Sequence, residues 1–250
     1  MSKLSDTYLF SITFTLALFA SLVLTSSLNF SLVNSAIVIH VVLGGGAILL
    51  GTITLFSKKG SSIHKSSGRL FYVSMVVSVA LSLLVSLLPN HQSPSLFQIG
   101  VLSLYFLIGG KRSLLLKQQS SDPSINRLLT DQVLAFTVVL VSLVIMLYSV
   151  YVDGSFHPLR TVFGVVGIAF GGLDLWLFYD SEKLKRKWLF LHLSKMLGGY
   201  TAAVTAFMVA QDILGGYYNW FTPTVFALAY IVYWAFKLNV FQIPLQTKII

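Results

Sequence analysis

The chain has 250 residues, 56% of them hydrophobic and only 10% charged, with a mean hydropathy of +0.83 and a net charge of +9. An ordinary soluble domain carries about 25% charged residues, so this composition excludes a water-coated globule and points to an all-α bundle threaded through a lipid bilayer. The chain contains no cysteine, which excludes disulfides, thiolate metal sites and iron–sulfur clusters, and its cation excess suits cytoplasmic loops better than a nucleic-acid partner.

A membrane span takes about 20 mostly apolar residues. Residues 8–30 form the first such run. It is longer than the apolar core of a secretion signal and no clear cleavage site follows, so it is expected as a retained first span. Seven further stretches qualify, at about 35–57, 69–89, 95–114, 131–152, 159–179, 188–211 and 221–238. The fourth is interrupted at Lys111-Arg112, after its clean apolar part ends at Gly110. No Walker, GxSxG or HExxH pattern marks an enzyme of those classes.

With a cytoplasmic amino terminus, eight spans place Lys3, Lys58, Lys59, Lys65, Arg69, Lys111, Arg112, Lys117, Arg127, Lys183, Lys185, Arg186, Lys187, Lys237 and Lys248 inside, 15 of the 17 cations. Arg160 falls outside and Lys195 within a span. Both termini are therefore expected in the cytoplasm. The polar connector 119–130 divides the chain into a first membrane half, 1–118, and a second, 131–250. The halves look alike. "HKSSGRLFY" (64–72) opens the third span and "HLSKMLGGY" (192–200) the seventh, each after a glycine-rich span. Those glycines, Gly44-Gly45-Gly46 and Gly167-x3-Gly171, are expected to be helix-packing surfaces.

Ionisable groups inside a span cost about 2.5–3.5 kcal/mol each on the insertion scale. Asp174 lies roughly 9 Å and Lys195 roughly 12 Å from the inner ends of consecutive antiparallel spans, at 1.5 Å per residue. They are placed to form a buried pair, although Lys195 could instead snorkel to the interface. His192, Lys195, Met196, Gly199 and Tyr200 share one helix face, as do His64, Ser67, Gly68, Phe71 and Tyr72. Each histidine thus sits at the inner rim with a tyrosine deeper on the same face.

Three readings follow. The histidines and tyrosines can be interfacial residues bonding neighbouring helices. Alternatively His64 and His192 are axial ligands of a haem b iron, with His40 and His157 as a second pair near the outer side, which would make the chain a membrane redox protein. In the third, Asp174, His192, Lys195 and Tyr200 bind a small anion or lipid head group, as in a non-redox transporter or lipid-binding protein. Haem-linked electron transfer is the first specific expectation and transport the alternative. The sequence identifies no redox partner or substrate.

"IHVVLGGGAILLG", "HKSSGRLFYVSM" and "HLSKMLGGYTAAVTAFMV" together resemble an uncharacterised family of predicted bacterial multi-span membrane proteins, from about residue 35 to the carboxyl end. The resemblance is carried by His40, His64, Gly68, Arg69 and Tyr72, and again by His192, Met196, Tyr200, Thr205 and Phe207. It implies a bacterial inner-membrane location and no particular activity. Lys65 stands where that family usually has arginine. If Arg69 and its neighbour bind an anionic group, lysine does so less directionally.

Overall fold

The computed structural model describes residues 30–116, 125–179, 187–238 and 240. The expected first span, 8–30, lies almost wholly outside them. The described residues form seven α-helices: α1 (Phe30–Phe56), α2 (Ser62–Val85), α3 (Pro94–Leu116), α4 (Ile125–Asp153), α5 (Pro158–Phe178), α6 (Trp188–Gln211) and α7 (Tyr218–Lys237). The first six are long and apolar enough to cross a bilayer. The seventh, expected at 221–238, is not among them: tyrosine, tryptophan, Asn219 and the internal Pro223 replace the aliphatics of a span core. Large side chains such as Val42, Leu49, Phe136 and Leu147 stand exposed along α1 and α4. A water-soluble protein rarely tolerates such continuous apolar surface, and acyl chains are its natural cover. The chain is an integral membrane protein of the helical-bundle class.

α3 runs unbroken to Leu116 because its two cations are accommodated, Arg112 by Asp131 and Lys111 over the ring of Tyr72. It is also the most enclosed helix, with half of its span buried, and it touches α2, α4, α5 and α6. Helix α6 packs on α3, α7 and α1. Helices α2 and α6, which carry the two similar motifs, meet through side chains, Phe71 of α2 beside Tyr200 of α6, while α1 and α3 lie against both.

Close approach is set by glycines. Gly109 and Gly110 of α3 receive Lys195 and Met196 of α6, while Gly198 and Gly199 of α6 receive Phe106 and Leu107 of α3. The exchange is reciprocal: each helix fills the other's glycine notch with the side chains three residues before its own. Gly167 and Gly171 seat α5 on α4, where a methyl at Gly171 would lie 2.9 Å from the carbonyl oxygen of Ala135. Of the expected triple-glycine surface only Gly44 meets a neighbour, Ser78; Gly45 and Gly46 face open space among the described residues.

Many buried hydroxyls bond backward along their own helix, as Ser67 does to the Ile63 carbonyl, Ser113 to Gly109 and Ser194 to Phe190. This satisfies a polar group where no water competes. The turn after α1 is closed by Lys59, whose ammonium donates to the Leu55 carbonyl at 2.5 Å. Partial burial there holds Lys59 below the usual lysine range. Ser61 then caps α2, accepting from the His64 amide at 3.2 Å.

Candidate functional site

Lys58, Lys59 and Lys187 in the connectors, with Lys65 in the first turn of α2, mark one end of the bundle as basic, while Asp153 ends α4 and Asp212 follows α6 at the opposite end. Near the basic end, α3, α4, α5 and α6 converge on a polar centre. Asp174 of α5 and Lys195 of α6 form an ion pair, with side chains 4% and 6% exposed. The low exposure rules out a snorkelled lysine. Tyr105 of α3 donates to the same carboxylate oxygen at 2.7 Å, and the Lys195 ammonium lies 5.0 Å from the centre of its ring. Gly109 makes this geometry possible: a methyl there would stand 3.1 Å from the Lys195 Nζ and 3.3 Å from its Cδ.

A second pair borders the first. Arg112 of α3 donates through Nε to Asp131 of α4 at 2.5 Å and through a terminal nitrogen to the other carboxylate oxygen at 3.4 Å. The forked contact fixes both side chains. Asp131 is near enough to Lys195 and Asp174 to feel both charges. Between the pairs is a cavity of about 10 Å³, lined by Tyr105, Ser113, Asp131, Asp174 and Lys195 with apolar neighbours. That is about the space one water needs, and the polar lining offers it partners.

The motif residues are divided among other contacts. His192 makes a 2.8 Å hydrogen bond through Nδ1 to the Gly110 carbonyl of α3, and His64 one of 3.0 Å through Nδ1 to the Thr54 carbonyl of α1. The repeated histidine thus has the same local task twice: it ties its helix to a carbonyl of the neighbouring one. Tyr200 does not join Asp174; its hydroxyl bonds Thr52 of α1 at 2.8 Å and its ring packs near Gly51 and Phe71. Tyr72 lies beneath Lys111, with the ammonium 6.0 Å from the ring centre, and Arg69 is exposed one turn earlier. His40 is clipped between α1 and α2 by the Ser78 carbonyl at 2.8 Å and the Ser78 hydroxyl at 2.9 Å. His157 takes the N-cap position of α5, its own backbone amide donating to Ser149 at 2.9 Å.

Tyr105, Arg112 and Asp131 escape sequence reasoning. Asp131 did leave a signal, as the one acid opening an apolar span, and Arg112 as a cation interrupting another. Tyr105 left none, because a tyrosine in "SLYFLIGG" reads as one more apolar side chain. Among the described residues no group of three or more histidines and acids is placed to hold a metal ion, and neither the water-sized cavity nor the apolar hollow formed by Leu214–Phe226 is lined by a histidine. No family model matches the chain, and no curated protein or solved structure is significantly similar to it. The likeness to a multi-span membrane family rests on the quoted motifs alone.

Proposed function

We propose that the protein is a non-redox membrane carrier whose working centre is the cluster of Asp174, Lys195 and Tyr105 with Asp131 and Arg112. The observation that carries this reading is the buried Asp174–Lys195 pair, bordered by the one-fifth-exposed Arg112–Asp131 pair, around a water-sized cavity among apolar helices. Charges in such a place are costly, and packing alone would be served as well by apolar side chains. A carboxylate that exchanges its cation for a proton or a solute ion changes the charge of the centre. That change is what couples movement of a solute to movement of a proton. The same reading counts residues 8–30 and α7 as further spans, which makes two similar halves and leaves both termini in the cytoplasm.

Proteoliposomes on a capacitive sensor test it. Jumps in pH and in a panel of small carboxylates, phosphates and amino acids should give transient currents with at least one class. Asp174→Asn should abolish them, while Asp174→Asn with Lys195→Met preserves the fold without restoring current. Silence across the panel in intact, oriented protein would count against a carrier.

A second reading, haem b held by His64 and His192, is favoured by one feature. Both imidazoles give Nδ1 to a backbone carbonyl, the support that ligating histidines commonly have. A reduced-minus-oxidised spectrum of protein made in haem-sufficient cells decides it. A Soret band lost in His192→Ala would replace the carrier reading with electron transfer.

A further inference from the structure

The basic end holds more positive charge than its described carboxylates can balance. Asp131 and Asp174 are the acids described on that half of the bundle, and each is already committed, to Arg112 and to Lys195. Lys58, Lys59 and Lys187 lie in connectors, where retention of positive charge on one side of a membrane accounts for them. Lys111 does not fit that account. It is a half-buried residue within α3, with five more helical residues after it. Its ammonium lies over Tyr72, and Arg69, three residues before Tyr72 on the same face of α2, is close enough to repel it. His192 of α6 hydrogen-bonds the carbonyl of Gly110, the residue before Lys111, at 2.8 Å. Like charges gathered at the rim of a low-dielectric bundle repel more strongly than they would in water, and no described carboxylate relieves Lys111.

We infer that Arg69 and Lys111, with His64 and His192 beside them, form a binding site for a phosphate-type anion at the basic end. The guanidinium of Arg69 can take two oxygens in its fork, and Lys111 supplies a point charge from the neighbouring helix. The ligand is the phosphate of an anionic lipid head group or a soluble phosphate. The inference is independent of the carrier reading, since it uses none of the residues of the Asp174 cluster.

The test uses full-length protein in neutral detergent. Phosphatidylglycerol retention is measured against phosphatidylcholine by native mass spectrometry, and inorganic phosphate binding by calorimetry. Three forms are compared: the unaltered chain, R69Q with K111Q, and K58Q with K187Q, which removes the same charge from the same end. Losing two charge-assisted contacts should weaken the preferred probe at least tenfold in R69Q/K111Q, with the connector variant within about twofold of the unaltered chain by the same scale. Selective loss of phosphatidylglycerol identifies a head-group site, and loss of inorganic phosphate binding a soluble ligand. Equal binding in R69Q/K111Q, or an equal loss in K58Q/K187Q, overturns the site in favour of a diffuse basic field. If the double variant does not assemble, R69Q alone, at an exposed position, is judged by the same comparison.

Discussion

Neutralising one member of the buried Asp174–Lys195 pair should cost far more than neutralising both. Asp174→Asn leaves the Lys195 ammonium, 6% exposed, with no carboxylate, and replaces an ionised acceptor for the Tyr105 hydroxyl by a neutral one. Stranding a buried charge costs about 3–5 kcal/mol, and exchanging a charged hydrogen bond for a neutral one is part of that sum. For a chain of this size each kcal/mol moves the thermal midpoint by roughly 2–4 °C, so the single variant should melt on the order of 10 °C lower. Lys195→Met should do likewise by isolating the carboxylate, with Tyr105 left as a partial partner. Together the two changes remove both charges, and the apolar Met side chain still fills the Gly109 notch. The double variant should therefore lie within about 1–2 kcal/mol of the unaltered protein. The assay is a double-mutant cycle from thermal unfolding in one detergent, followed by the fluorescence of a dye excluded from the folded bundle. Losses that simply add, with the double variant the least stable, would show that the two groups do not act on each other.

Gly109→Ala places a methyl 3.1 Å from the Lys195 ammonium; it should displace that group from Asp174 and lower stability by about 1–3 kcal/mol, an effect that vanishes when Lys195 is already Met. Gly171→Ala should force α5 from α4, since the methyl would meet the Ala135 carbonyl at 2.9 Å and the Val139 side chain at 2.7 Å; a loss of about 1–3 kcal/mol is expected in the same melt. Tyr200→Phe removes the hydroxyl bonded to Thr52 and should cost about 0.5–1.5 kcal/mol; no loss in Tyr200→Phe would show that this contact between α6 and α1 contributes nothing. Single cysteines in this cysteine-free chain report topology: a maleimide that does not cross membranes should label positions 92, 155 and 216 from outside and leave position 60 unlabelled until the membrane is opened.

Apolar run length and cation placement determined the membrane class and the approximate bounds of α1 to α6, because a helix that must satisfy its own backbone in lipid advertises itself over some 20 residues. The depth arithmetic that set Asp174 beside Lys195 also worked from sequence, since rise per residue and antiparallel order fix relative height without knowledge of packing. Relative height says nothing about azimuth. Which way a helix turns was decided by the notches at Gly109, Gly110, Gly198 and Gly199, where α3 and α6 interlock. That contact brings Tyr105 to Asp174 and holds Lys195 in place, while Arg112 on the same helix reaches Asp131 of α4. It also turns Tyr200 away toward Thr52 of α1, although sequence spacing grouped it with Lys195 on one face. A helix face is broad enough to touch two neighbours, and only the tertiary structure says which residue meets which.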